Sequence, residues 1–458
     1  MDFDPLLLAR IQFGFTISFH IIFPSFTIGL AFYIATLETL WAATTRDIYR
    51  RIARFWTRIF AISFAMGVVS GIVLSYQLGT NWSRFSLVAG NIVGPLAGYE
   101  VLAAFFLEAT FLSVLLFGVN RVPRWLHLFS AWAVALGTAT SAFWILSANS
   151  WMHTPAGYEL RDGIAYPTDW VAAIFNPSFP YRFAHMLNAS YLTAGFAVLA
   201  VGARYLLAGQ FRDEARSMMR MALGLLVVLA PLQLFIGDQH GLNTLRYQPM
   251  KVAAMEAHWD SKTPENFHIF AWPDQKNETN RFDWLSIPHG SSLILTHRWD
   301  GLFPGLKDVP PSERPPVANV FFAFRIMLAV GFYMIAAAIF GAFLWWRGTL
   351  TTTRWYLHVV ARTWWVGFVG VIAGWMVTES GRQPWVVYGI LRTADAVSPV
   401  PAHSVAITLV LFVIVYAVVF GAGIYFINRF INAGLTDPAP AKTRPSLSVE
   451  GGPEWHRG

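Results

Sequence analysis

Runs of about 20 or more mostly apolar residues alternate along this chain with shorter polar connections, and that length is what a helix needs to cross the hydrocarbon core of a bilayer. About nine such runs are present, near 11–39, 57–78, 95–118, 126–147, 181–207, 219–238, 317–346, 357–379 and 403–428. They predict an all-α, polytopic transmembrane protein of about nine spanning helices. The first run follows Asp2, Asp4 and a lone Arg10 and far exceeds the apolar centre of a signal peptide, so it is expected to remain as a span. Trp41, Trp56, Trp82, Trp125, Trp151 and Trp385 fall near run ends, where an indole sits well at headgroup level.

The connections are not alike. Arg46, Arg50, Arg51, Arg54 and Arg58 crowd the first, Arg121 and Arg124 the third, Arg204, Arg212, Arg216 and Arg220 the fifth, and Arg347, Arg354 and Arg362 the seventh. The short even-numbered ones are poorer, with Arg84 in the second, Arg161 and Arg182 in or beside the fourth, and Arg382 and Arg392 in the eighth. Basic residues stay on the cytoplasmic side, so the N-terminus is expected outside and the C-terminus in the cytoplasm. The long sixth connection, 239–316, then faces outside, and a loop of that length is expected to carry function. Residues 1–433 read as one transmembrane domain, and 434–458, rich in Pro, Ser and Gly, as a disordered cytoplasmic tail.

Composition narrows the chemistry. With 55% apolar and 13% charged residues the solvent is lipid, and the net charge of +7 reads as a topology signal, not as a nucleic-acid surface. The absence of cysteine removes disulfides, cysteine-held iron–sulfur clusters, thiolate haem ligation and covalent c-type attachment. There is no phosphate-binding Gly loop ending in Lys-Ser/Thr and no zinc-type His-Glu-x-x-His.

Ionisable side chains inside the runs are few, and each costs about 2.5–3.5 kcal/mol at mid-membrane on insertion scales, which marks them as candidate functional residues. They are His20, Glu100, Glu108, His185, Arg325 with Met327 close by, and Glu379 at an outer end. His185 and Met327, on different spans, have the chemistry of an axial haem pair, against the plainer reading of a core histidine and a gap-filling methionine. His20, deep in the first run, needs a metal, a haem iron or a carboxylate as partner. In an unbroken α-helix Glu100 and Glu108 would be about 12 Å apart along the axis and about 80° apart around it, suited to proton relay or to interhelical hydrogen bonds. Glu379 suits either a haem iron or the outer interface, and Arg382 and Arg325 suit haem propionates, Arg382 equally the headgroups. Lys251 and Glu256 lie in the loop, where such a pair is ordinarily solvent-exposed.

These residues sit in strings spread over nearly the whole chain: Phe19-His20, Gly79-Thr80-Asn81-Trp82, Phe105-Phe106-Leu107-Glu108, Trp144-Ile145-Leu146 with Ala148-Asn149, Phe324-Arg325-Ile326-Met327, and Gly381-Arg382-Gln383-Pro384-Trp385. Together they make the chain resemble subunit I of the cytochrome bd-type quinol oxidases. The resemblance implies a bacterial plasma-membrane enzyme that oxidises a membrane quinol, ubiquinol or menaquinol, at the outer face. It reduces O2 to water with cytoplasmic protons, generating a proton motive force without pumping, and works with a second membrane subunit. It implies His185 and Met327 as ligands of a low-spin haem b, and His20 and Glu379 as ligands of a high-spin haem b and of either haem d or a further haem b. Glu100 is implied at the oxygen-reducing site, Glu108 with Ser141 on the proton route, and Lys251 and Glu256 at quinol oxidation. The loop resembles the short-loop branch, and because some relatives are cyanide-insensitive with little or no haem d, the haem type stays open. Ala109 stands where some relatives carry a hydroxyl.

Two redox rivals lack their ligands: a haem-copper oxidase needs more intramembrane histidines, and a bis-histidine cytochrome b needs paired ones on shared helices. A proton-coupled secondary transporter is the alternative from another class; it accounts for the carboxylates but not for His185 with Met327.

Overall fold

The computed structural model describes residues 4–119 and 121–435, and these are helical almost throughout. The long helices are α1 (Pro5–Thr44), α2 (Asp47–Thr80), α3 (Ser83–Phe117), α4 (Arg124–His153), α5 (Phe179–Ala208) and α6 (Arg212–Tyr247). A short α7 (Pro249–Glu256) opens the loop, and α8 (Val317–Trp346), α9 (Arg354–Arg362), α10 (Val366–Ser380) and α11 (Ala402–Ala433) complete the bundle. Among the described residues eight helices are long and apolar enough to span a membrane, and α9 with α10, bent by 42° at their junction, are a ninth candidate when taken as one span. This is the expected architecture. The expected tail lies, from 436 onward, outside the described residues.

Local signals set the ends. The Asp4 side chain accepts a hydrogen bond from Leu6 N at 3.0 Å with Pro5 in the first helical position, and α5 stops where Gly209 takes φ 71°. The helices overshoot the apolar runs because hydropathy marks membrane depth, whereas backbone hydrogen bonding continues into the interface. At 40 residues α1 is about 60 Å long, twice a hydrocarbon core. For the same reason the loop begins at 248 and not 239: α6 carries on to Tyr247.

The central helix is α5. Its apolar window is 67% buried, against 17% for α8 and α11, so α5 is surrounded by protein while those two face outward. Small residues allow the approach. A Cβ on Gly29 of α1 would stand 2.6 Å from Ala194 Cβ, and one on Gly367 of α10 would stand 2.7 Å from Thr193 Cα.

Besides short helical turns, the connections carry antiparallel two-stranded ribbons. β1 (Tyr158–Arg161) pairs with β2 (Ile164–Pro167) between α4 and α5. In the long loop β3 (Phe267–His268) pairs with β6 (Ser286–Ile287), and β4 (Ala271–Asp274) with β5 (Thr279–Asp283). After α10, β7 (Trp385–Val387) pairs with β8 (Leu391–Arg392). The loop has its own apolar core, in which Val252, Met255, Trp259, Phe303 and Leu306 pack with Val317 and Phe321 of α8. It is a folded cap on α8.

Candidate functional site

Glu100 and Glu108 lie on α3, whose segment Ala104–Ala109 is a π-helical turn. A π turn accommodates one extra residue, so the separation around the axis falls from about 80° to about 20° and both carboxyls share a face. That face meets α4. Ser141 Oγ donates to Glu100 Oε1 at 3.2 Å, and Gly137, one turn away on α4, is so close that its Cβ would stand 3.0 Å from Glu108 Cγ. Glu108 is buried and Glu100 half-buried, which gives a line of carboxyl, hydroxyl and carboxyl through otherwise apolar packing.

Three of the four candidate axial ligands share one feature: each faces a glycine on a neighbouring helix. A Cβ on Gly71 of α2 would stand 3.2 Å from His20 Cε1, one on Gly237 of α6 3.4 Å from His185 Cε1, and one on Gly374 of α10 3.3 Å from Met327 Sδ. His20 Nδ1 lies 2.9 Å from Ser70 Oγ, whose own hydrogen serves the carbonyl of Met66 or Gly67. His20 therefore donates through Nδ1 and keeps the Nε2 lone pair available. His185 Nδ1 is buried with no hydrogen-bond partner, and the His240 ring lies edge-on at 5.3 Å.

Glu379 is held rather than free. Its Oε1 accepts from Asn149 Nδ2 at 3.0 Å and lies 3.3 Å from His153 Nε2, while Oε2 pairs with Arg382. On its other side His153 Nδ1 is 3.2 Å from Lys251 Nζ. Glu379, His153 and Lys251 thus form one contact chain from the end of α10 to α7. Arg182, in the first turn of α5, also borders this cluster, so three cations surround one carboxylate. Arg182 Nε and both Nε and Nη1 of Arg382 are buried with no acceptor. Each unmet buried donor costs about 1–3 kcal/mol, more when charged, so the cluster is built for anions it does not itself supply.

The second half of the site lies in the loop. Lys251 and Glu256 are both buried, at 3% and 1% exposure, against the solvent-facing pair that loop sequences ordinarily carry. They do not pair with each other. Glu256 Oε2 accepts from Arg325 Nη2 at 2.7 Å, and the same guanidinium donates to the His268 carbonyl at 2.7 Å. Arg325 is thereby committed to the loop, where the sequence suggested haem propionates. Burial raises the Glu256 carboxyl above its ordinary pKa in spite of Arg325. Burial, with Arg182 and Arg382 near, holds the Lys251 ammonium well below its ordinary value, Glu379 opposing.

With this geometry in view, similarity decides the family. Residues 8–435 match the family model described as cytochrome bd terminal oxidase subunit I. The chain belongs to that family. It is 35% identical to the cytochrome bd ubiquinol oxidase subunit 1 of Bacillus subtilis (strain 168), with 94% of each chain covered. It is 32% identical to the cytochrome bd-II ubiquinol oxidase subunit 1 of Escherichia coli (strain K12), covering 94% of this chain and 97% of that one. Its fold matches the solved bd oxidase of Geobacillus thermodenitrificans with a TM-score of 0.87 at 29% identity, over 94% of this chain and 99% of that one. The protein is a multi-pass bacterial membrane protein and a quinol oxidase subunit, and the transporter alternative is set aside. Membership implies haem cofactors, a quinol and O2 as substrates, and a second membrane subunit.

The residues fit haem. His20 with a free Nε2, His185 and the Met327 sulfur are haem-ligand chemistry, glycines keep neighbouring side chains off all three, and the unmet donors of Arg182 and Arg382 suit propionates. Sequence reasoning missed His153, Arg182 and His240. For Arg182 a signal existed, since it precedes His185 by three residues and therefore shares its helical face.

Proposed function

We propose that the subunit oxidises quinol at the loop, outside the membrane's apolar core, and supplies the protons for O2 reduction through α3 from the opposite, cytoplasmic side. His185 and Met327 would hold a low-spin haem b, and His20 and Glu379 the two high-spin haems, of which one is haem b and the other haem d or a further haem b. When bound, these haems supply the one-electron relay and the O2-reducing iron.

Each quinol gives up two protons and two electrons, and two quinols reduce one O2 to two waters. Glu256 has the character of a proton acceptor at the loop, because burial makes its carboxylate a stronger base while Arg325 keeps it oriented. Lys251 orients the quinol and, through His153, touches the carboxylate of Glu379. Arg382 neutralises that carboxylate and offers its remaining N–H groups to propionates. On the other side Glu108 passes protons along Ser141 to Glu100, near the O2 site. Releasing quinol protons on the loop side and taking up protons for water from the other side separates charge without a pump, which is how the enzyme would generate a proton motive force.

The observation that carries this reading is the contact chain Lys251–His153–Glu379, which puts a quinol-site candidate and a haem-ligand candidate in one buried network. Glu256→Gln keeps the shape and the Arg325 contact but removes the base. Quinol oxidation is expected to fall by about 100-fold or more with the haem spectrum intact; wild-type turnover would reject Glu256 as the acceptor.

A further inference from the structure

Among the described residues one group of metal-ligand side chains, in the loop cap, has no part in the proposed haem ligation or quinol oxidation. His258 and Glu265 follow α7, His268 lies on β3, and one donor atom from each falls within 4.8 Å of the others. Each imidazole has a buried Nδ1 without a hydrogen-bond partner. His258 is 1% exposed; its Nε2 donates to the Asn266 carbonyl at 2.9 Å, which leaves Nδ1 with a buried lone pair and no donor. His268 Nδ1 is buried and makes no hydrogen bond, although Asp283 Oδ2 lies 2.9 Å from it. In His258 one ring nitrogen is held by a carbonyl and the other is left over, the arrangement that orients a metal-bound histidine. Glu265 Oε1 lies 3.6 Å from His258 Nε2, so an anionic oxygen borders the same ring, and the three residues' donor atoms gather within 4.8 Å.

We propose that His258, Glu265 and His268 form a binding site for a divalent transition-metal ion of the zinc type. Two imidazole nitrogens and one carboxylate oxygen, with a position left for water, are a zinc donor set, whereas Ca²⁺ and Mg²⁺ take oxygen ligands throughout. Glu265, with Asp283 beside His268, offsets a doubly charged ion, and Arg325 and Lys262 are the neighbouring cations that oppose it. Without an ion the buried His258 nitrogen stays unsatisfied at a cost of about 1–3 kcal/mol. Entry is open on one side, because the Asp283 side chain is 39% exposed. The site also abuts the quinol residues: His258 lies two positions beyond Glu256, and the His268 carbonyl holds Arg325. An ion there would tie both ends of 258–268 around Glu256.

The test is zinc binding to the purified oxidase complex after chelation and dialysis against Zn²⁺, read by elemental analysis and zinc-edge X-ray absorption, with the haem spectrum reporting the fold. Wild type is expected to retain one equivalent with two imidazoles and a carboxylate in its shell. His258→Gln and His268→Gln are expected to lose it, while His403→Gln, an exposed histidine on α11, keeps it. Should a loop variant fail to fold, the wild-type absorption spectrum still decides. No retained zinc, a shell without two imidazoles, or a full equivalent in both loop variants would overturn the proposal.

Discussion

A buried side chain here is informative in proportion to what it lacks. His185 has a ring nitrogen without a partner, and Met327 faces Gly374, where even a Cβ would crowd its sulfur at 3.3 Å. Met327→Leu keeps apolar volume but removes the sulfur lone pair, so it is expected to abolish the low-spin haem band while the protein still assembles; His185→Ala is expected to do the same. Reduced-minus-oxidised spectra of the purified variants check this, and an unchanged band would remove the residue from the ligand set. Glu108→Gln keeps shape but holds no transferable proton. It is expected to slow O2 reduction by about 100-fold or more while leaving quinol reduction of the low-spin haem near wild type. Rapid-mixing spectroscopy separates the two steps, and equal loss in both would make Glu108 structural. His20, Glu100, Glu108 and His185 stood out as candidates in the sequence because an ionisable residue inside an apolar run is costly, and Met327 only as the neighbour of Arg325 and a candidate axial partner for His185. His153 and Arg182 were not, because they sit at helix ends, where sequence alone suggests headgroups; the folded cap and the β-ribbons cover those ends and bury both, at 0% and 6% exposure. The same cover turns Lys251 and Glu256 from an ordinary surface pair into buried groups with separate partners.

Elements place these residues through their irregularities. The π turn in α3 brings Glu100 and Glu108 onto one face, and no periodicity in the sequence announces it, because an apolar stretch reads the same in α and π form. The α9–α10 bend was equally hidden inside a single apolar run. Spans were otherwise easy to read, since lipid demands continuous apolar length. Contact between helices was not, because it depends on which glycine meets which neighbour. Gly367 is such a point: on α10 it meets the backbone of α5 at Thr193, and α10 ends in Glu379 while α5 begins near His185. Gly367→Ala has no flexible side chain to push aside there, so α10 must shift. A destabilisation of about 1–3 kcal/mol is expected, seen as a lower temperature of haem loss. A variant as heat-stable as wild type would mean that the helices have slack at this crossing.

At the scale of the whole molecule, charge separation requires that the loop cap and the arginine-rich connections lie on opposite sides of the membrane. Nine crossings make the sides alternate, and the arginines of the first, third, fifth and seventh connections then share the side opposite the cap. The chain has no cysteine, so a single introduced one is a unique reporter. Position matters: many residues of the first connection's helix are buried, Ala53 among them, whereas Ala43 at the end of α1 is exposed, as is Ser286 on β6 in the cap. A membrane-impermeant thiol reagent added to intact cells is expected to label Ser286→Cys and not Ala43→Cys. In inverted vesicles the order should reverse. Labelling of both from one side would break the alternation of spans. Labelling of Ala43→Cys alone from outside would turn the protein over, so that quinol protons were released into the cytoplasm, and a quinol oxidase built that way would dissipate a proton motive force instead of generating one.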